Sequence, residues 1–212
     1  MIILNTKAPQ TTVESLKEII SIVTGLTITN STLVLLTKGT YNDIYPITGL
    51  SGISILLFLF VTINVIRFYH GNMKHINSGY LRDYQGFSIR VSGGARLAID
   101  FFVIFMQSIL FSIMSFYLFD FNSFIPVFLL LLGIDIIWNL SKWTLDDRKE
   151  LVHHKVWFLN NLICGIAIAI IFFTIEGNTK VILVCTTLFA NTLLDYCIGN
   201  TAHIIAANAQ TD

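Results

Sequence analysis

Six long apolar runs, separated by short polar links, account for most of the chain. A helix crosses a bilayer with about 20 apolar residues, and each run comes close to or exceeds that length. None alternates apolar and polar residues as a barrel strand does, and Pro126 is expected in a first helical turn, where its missing N–H matters little. The pattern predicts transmembrane helices at about residues 16–37, 47–69, 95–119, 124–140, 156–175 and 181–199.

The links between these runs are too short for a separate folded unit. We therefore predict a single transmembrane domain over residues 1–212, an all-α polytopic membrane helix bundle of about six helices. Within it, Ser92-Gly93-Gly94 is a plausible helix start before the third run.

Composition supports lipid as the solvent. Only 12% of the residues are charged and 54% are hydrophobic, whereas a soluble domain carries about 25% charged residues. The formal net charge is zero, which argues against nucleic acid as a partner, because neutralising phosphates needs surplus Lys and Arg. The bilayer is the first expected partner. Cys164, Cys185 and Cys197 lie in apolar runs, so we expect free, buried thiols.

Basic residues are distributed unequally between the two sets of links. Of the 13 Lys and Arg residues, only Lys38 and Lys180 fall on one predicted side, and the other eleven fall on the opposite side. Because cytoplasmic loops carry the excess of Lys and Arg, both termini are predicted to be cytoplasmic. We expect an integral protein of the plasma (inner) membrane, with Trp138, Trp143 and Trp157 in an aromatic belt at its cytoplasmic interface.

Polar side chains gather near the predicted cytoplasmic ends of the runs. A carboxylate at the centre of a membrane helix costs at least about 2.5 kcal/mol, so the acids among them should face the bundle interior. Asp135 and Asp195 lie near the negative, C-terminal ends of their helices and therefore need a cation, which makes them the better functional candidates. The candidate pathway residues are Arg67, His70, Asp100, Asp135, Asn139, Asn160, Asn161, Asn191 and Asp195.

Three interpretations of this constellation are open. It could be a charge-paired belt that fixes helix register, or a hydrated vestibule or ion pathway, which intramembrane ionisable groups often mark. It could also be a hard-cation site, if Asp100, Asp135, Asp195 and His70 converge.

The preferred hypothesis is a small membrane protein that assembles as a homo-oligomer and forms an ion- or small-solute-conducting pathway. Six short spans leave little room for a wide pore in one chain, which favours the oligomer. Arg67 and His70 would set the charge and the pH response, because histidine titrates near neutrality. Few mid-span Gly or Pro residues interrupt the helices, which favours a channel over a carrier.

Two rival functions are kept. The chain could be a sensor or effector subunit that docks a soluble cytoplasmic partner through basic loops, with Arg82, Arg90, Arg148 and Lys149 as contacts. It could also be a metal-dependent lipid enzyme. The ordinary hydrolase and nucleotide signatures are missing from the sequence, so an enzyme is less favoured, and we expect no catalytic residue, cofactor or resident metal.

Overall fold

Six α-helices make up the structure. The computed structural model describes residues 7–37, 52–77, 92–145 and 151–208. The helices are α1 (Lys7–Thr37), α2 (Gly52–Ile76), α3 (Ser92–Phe116), α4 (Phe121–Leu145), α5 (Leu151–Thr174) and α6 (Gly177–Asn208). All six are long and apolar enough to span a membrane, which confirms the predicted all-helical class and the number of spans. Which side the termini face stays a prediction.

The helix boundaries differ from the predicted spans in several places. α2 continues past Tyr69 to Ile76, because the polar residues that end its apolar run still face the bundle interior. α6 continues as a helix to Asn208, although its candidate span ends at Cys197, close to the predicted end at residue 199. α4 begins at Phe121 rather than 124, so Pro126 lies in the second helical turn and not the first. α3 begins at Ser92, at the predicted helix start.

Asp120 starts α4. Its Oδ1 accepts hydrogen bonds from the backbone N–H groups of Asn122 (3.1 Å) and Ser123 (3.3 Å), and its own carbonyl accepts one from the N–H of Phe124 (2.9 Å). This is N-cap geometry, in which a side-chain oxygen satisfies amides that have no partner in the first turn. The side chain of Asp120 is exposed at the turn between α3 and α4.

Consecutive helices run in opposite directions. Asn72 of α2 contacts Gln107 of α3, and His75, further along α2, contacts the earlier residue Asp100. The two helices are therefore antiparallel. Between α5 and α6 only two residues intervene, and Gly177 has a φ of 69°, a left-handed conformation that suits glycine in a sharp reversal. α2 packs against α1, α3 and α6, and α4 packs between α3 and α5.

Hydroxyl groups join α1 to α3. Ser31 Oγ lies 2.6 Å from Ser115 Oγ, and Thr27 Oγ1 lies 3.1 Å from Ser112 Oγ. Small hydroxyl residues allow close approach of membrane helices and hydrogen bonds across the seam. The hydroxyl-rich face of α1 is therefore a packing face.

The bundle interior is divided into two halves. In the half towards the α3–α4 and α5–α6 turns, Phe60 packs edge-on against Phe124 and Phe128, with ring centroids 5.7 and 4.9 Å apart. We call these three rings the Phe60 cluster. Large apolar side chains surround them, among them Leu57, Ile125, Leu131, Ile168 and Val184. The opposite half, near the C-terminal ends of α2, α4 and α6, is polar, and we call it the polar end.

The outer surface is apolar, as lipid contact requires. Ile137, Ile163 and Phe173 are 69%, 66% and 79% exposed. Cys164 and Cys185 are free and buried as predicted, but Cys197 is exposed, because α6 turns its neighbour Asp195 inward at that level.

Candidate functional site

Arg67 is the centre of the polar end. It is the largest fully buried side chain among the described residues, with 1% of its surface exposed. Its Nε donates to Oδ2 of Asp195 (2.9 Å) and its Nη2 donates to Oδ1 of Asn161 (2.7 Å). The guanidinium carbon also lies 4.8 Å from the ring centroid of Trp157, a cation–π distance. One side chain therefore connects α2 to both α5 and α6.

Asp135 is surrounded by N–H donors from three helices. Its Oδ1 accepts a hydrogen bond from Gln107 Nε2 (2.9 Å). Its Oδ2 accepts hydrogen bonds from Asn139 Nδ2 (3.0 Å), Trp157 Nε1 (2.6 Å) and Asn161 Nδ2 (2.5 Å). An ionised carboxylate only accepts hydrogen bonds, so four donors match the charged form of this group.

These contacts form one continuous chain through the bundle. Gln107 also accepts a hydrogen bond from Asn72 Nδ2 (3.3 Å), and Asn161 bridges Asp135 to Arg67. All its members are less than one tenth exposed and lie inside candidate membrane spans. We call this set the polar network: Asn72, Gln107, Asp135, Asn139, Trp157, Asn161, Arg67 and Asp195.

Asp100 forms a separate cluster beside the polar network. Its Oδ1 accepts a hydrogen bond from Trp138 Nε1 (2.9 Å), and its Oδ2 lies 2.9 Å from His75 Nε2. The His75 ring stands edge-on to the Trp138 ring at 5.0 Å between centroids. This group ties the C-terminal end of α2 to α3 and α4.

Three of the predicted residues lie at the margin of the polar network. His70 Nδ1 is 3.3 Å from the hydroxyl of Tyr196 at an exposed position. Asn160 Nδ2 donates to the backbone carbonyl of Asn191 (3.1 Å). The side-chain atoms Nδ2 and Oδ1 of Asn191 have no partner among the described residues, although Asn191 is buried.

Gly71 allows α2 and α5 to approach closely. A Cβ atom added to Gly71 would lie 2.5 Å from Cη2 of Trp157 and 2.9 Å from Cζ3. Real Cβ atoms do not approach a neighbour so closely, so any other residue here would push the indole away from Asp135. Gly71, four residues after Arg67, therefore allows Trp157 to lie close enough to donate to Asp135.

A narrow cleft adjoins the polar network between α1, α2 and α3. It has room for about one water molecule. The polar side chains on its walls are Thr24, Thr27, Tyr69, Asn72, Gln107 and Ser108.

The four residues considered for a hard-cation site do not share one centre. Asp100 pairs with His75 and Trp138, Asp195 pairs with Arg67, and His70 contacts Tyr196. Among the described residues, no group of three or more His, Cys, Asp or Glu side chains could hold a metal ion. The loop residues considered for partner docking, Arg82, Arg90, Arg148 and Lys149, lie outside the described residues.

Two tryptophans correct the sequence-based assignment. Trp138 and Trp157 were expected in an interfacial belt, but both are buried and donate their indole N–H groups to Asp100 and Asp135. The spacing carried a signal, because Trp138 is three residues after Asp135 and so shares its helix face.

Asn72 and His75 are further residues that the predicted set of pathway residues leaves out. They lie eight and eleven residues after Asn64, and helical spacing therefore places them on the same inward face of α2.

Six helices that are long and apolar enough to span a membrane define the class of this chain: it is an integral, multi-pass membrane protein. No protein-family model, no curated protein and no solved structure matches the chain.

Proposed function

We propose that the protein conducts ions or small polar solutes across its membrane, and that the polar network lines one half of the pathway. The observation that carries the proposal is the continuous chain of buried hydrogen bonds from Asn72 to Asp195, made by side chains of five helices. Intramembrane ionisable groups commonly mark substrate or ion pathways.

The energetics also favour a functional role for this interior. A buried ion pair is weak support for stability, because well-packed apolar residues in its place are often equally or more stabilising. The pair of Arg67 and Asp195, with 2.9 Å between Nε and Oδ2, is an expensive way to hold two helices together. Conduction would give these polar groups a role that stability alone does not provide.

The charge balance favours cations over anions. The described interior of the polar end holds three carboxylates, of Asp100, Asp135 and Asp195, and one guanidinium, of Arg67. Three acidic groups are therefore set against one permanently cationic group. Carboxylates line cation pathways, whereas Arg and Lys line anion pathways.

The Phe60 cluster would close the pathway in this arrangement. Phe60, Phe124 and Phe128 are almost completely buried and fill the interior beyond the polar network. Hydrophobic constrictions act as gates in channels by excluding water. Opening would require these rings to move, or a second copy of the chain to complete the route, and the homo-oligomer is part of this proposal.

Flux measurements in liposomes test the proposal. Purified protein should carry a cation current across an otherwise tight bilayer, and Asp135→Asn should reduce it several-fold. Asp120→Asn is the matched control, because it removes a carboxylate that lies outside the polar network at an exposed turn. Absence of current in folded wild-type protein, or equal currents in wild type and Asp135→Asn, would refute conduction through this site.

The oligomeric state is measured separately. The mass of the protein in nanodiscs should correspond to two or more copies of the 23.9 kDa chain. A monomer that conducts would keep the pathway and remove the oligomer from the proposal.

A further inference from the structure

We propose that a second polar site, about one helical turn deeper in the bundle than the pair of Arg67 and Asp195, binds ordered water between α2 and α6. We call it the α2–α6 water site. It is formed by Asn64, Arg67 and Asn191. The role of this site in conduction rests on the proposed function. Whether water occupies the site can be measured independently of any flux.

Unpartnered polar atoms on these three residues carry the proposal. Asn64 and Arg67 are each 1% exposed and Asn191 is 4% exposed. Asn64 donates from Nδ2 to the carbonyl of Phe60 (3.0 Å), which leaves its Oδ1 without a partner among the described residues. Arg67 likewise leaves Nη1 unused, and Asn191 leaves both Nδ2 and Oδ1 unused.

Helix geometry places these three residues at similar depths on the facing sides of α2 and α6. α2 and α6 run in the same direction, because Arg67 contacts Asp195 and His70, further along α2, contacts Tyr196. Asn64 comes three residues before Arg67, and Asn191 comes four residues before Asp195. At 1.5 Å per residue, both asparagines therefore lie about 4.5 to 6 Å deeper than the ion pair, and on the same helix faces.

The chemistry of the free atoms selects the ligand. Nη1 of Arg67 and Nδ2 of Asn191 need acceptors, whereas Oδ1 of Asn64 and Oδ1 of Asn191 need donors. An anion would leave both amide oxygens unsatisfied, and a metal cation would be repelled by the guanidinium. Water donates and accepts, and buried waters typically make about three hydrogen bonds to polar groups that otherwise have no partner.

The position of the site bears on the pathway. Asn64 is midway along α2, between Gly52 and Ile76. Phe60 comes four residues before it and lies one helical turn deeper in the bundle. Water at the α2–α6 water site would extend the hydrated part of the interior from the polar network to the middle of the membrane, directly against the Phe60 cluster. The apolar barrier to conduction would then be confined to the opposite half of the bundle.

Solid-state NMR of the full chain in lipid bilayers tests water occupancy directly. With ¹⁵N-labelled asparagine and arginine, magnetisation transferred from water protons should reach Nδ2 of Asn191 and Nη1 of Arg67 within the earliest mixing times. The backbone amide of Phe128, labelled in the same way, is the control, because Phe128 is fully buried among the apolar rings of the Phe60 cluster and lies outside the polar network. Transfer to Asn191 should be several-fold faster than transfer to this amide.

Variants and outcomes separate this site from the proposed function. Asn191→Leu should slow transfer to Arg67 Nη1 several-fold, and Asn64→Leu should do the same if the first variant does not fold. Equally slow transfer to Asn191 and to the Phe128 amide in wild-type protein would overturn the water site. Fast transfer in a protein that carries no current would support the water site while refuting conduction, and current with slow transfer would refute the water site alone.

Discussion

Arg67 and Asp195 form a buried ion pair that joins α2 to α6, with 2.9 Å between Nε and Oδ2. Arg67 is held on its other side by Asn161, which also donates to Asp135. The Arg67 guanidinium therefore contacts Asp195 directly and is linked to Asp135 through the Asn161 amide.

Breaking this pair on one side should be strongly destabilising. Arg67→Met leaves the carboxylate of Asp195 buried without its cation, and we expect a loss of about 3–5 kcal/mol in the free energy of unfolding. The double variant Arg67→Met, Asp195→Leu should recover most of that loss, because no unpaired charge remains. Unfolding in mixed detergent micelles measures both changes.

Conduction should not recover together with stability in that double variant. If the pair serves the pathway, the refolded double variant stays inactive in liposomes although its stability is restored. A double variant that conducts like the wild type would show that the pair has only a structural role.

Gly71 should not tolerate even a methyl group. Gly71→Ala places a Cβ 2.5 Å from the Trp157 ring, so the indole must shift and weaken its hydrogen bond to Asp135. Overpacking of this kind costs about 1–3 kcal/mol, which thermal unfolding should detect. Gly25→Ala is the control, because its Cβ would meet nothing within 4 Å. Equal stability of the two variants would contradict the close approach of α2 and α5.

Phe60 should control access across the apolar half of the interior. Phe60→Ala removes the ring that packs against Phe124 and Phe128, and we expect a larger cation leak in liposomes. Phe173→Ala is matched in chemistry but alters a ring that is 79% exposed on the outer surface, so its leak should equal that of the wild type. If both variants leak equally, the pathway does not pass the Phe60 cluster.

Asp120 should make stability depend on acid pH. The hydrogen bond from the Ser123 side chain, followed by that from the Ser123 backbone, lowers the pKa of Asp120 below its ordinary value of 3.8. A carboxyl with a lowered pKa in the folded state stabilises the fold above its unfolded pKa, and this stabilisation is lost as the pH falls through the folded value. Thermal unfolding below pH 3.8 should therefore show a steeper loss in the wild type than in Asp120→Asn, which keeps a capping oxygen but cannot titrate. If the stability of the two proteins depends on acid pH in the same way, Asp120 is not the cause of the loss.

The number and type of helices follow from the sequence, and so does the inward direction of the acids. Lipid admits only helices and closed barrels, and apolar runs of spanning length without alternating polar residues leave helices. The cost of a carboxylate against acyl chains turns Asp100, Asp135 and Asp195 towards the interior, where all three are buried. Both results depend on whether lipid surrounds the chain, and the hydropathy of the sequence indicates that directly.

Only the tertiary structure decided which groups meet. Hydropathy does not encode the order of helices around a bundle, so the sequence could not pair Arg67 with Asp195 or place the Trp157 indole against Asp135. The predicted second span ends at Tyr69, whereas α2 continues to Ile76, where Asn72 and His75 have partners on α3. A polar side chain is costly inside a membrane where it faces lipid but not where a neighbouring helix satisfies its hydrogen bonds, and that neighbour is known only from the fold.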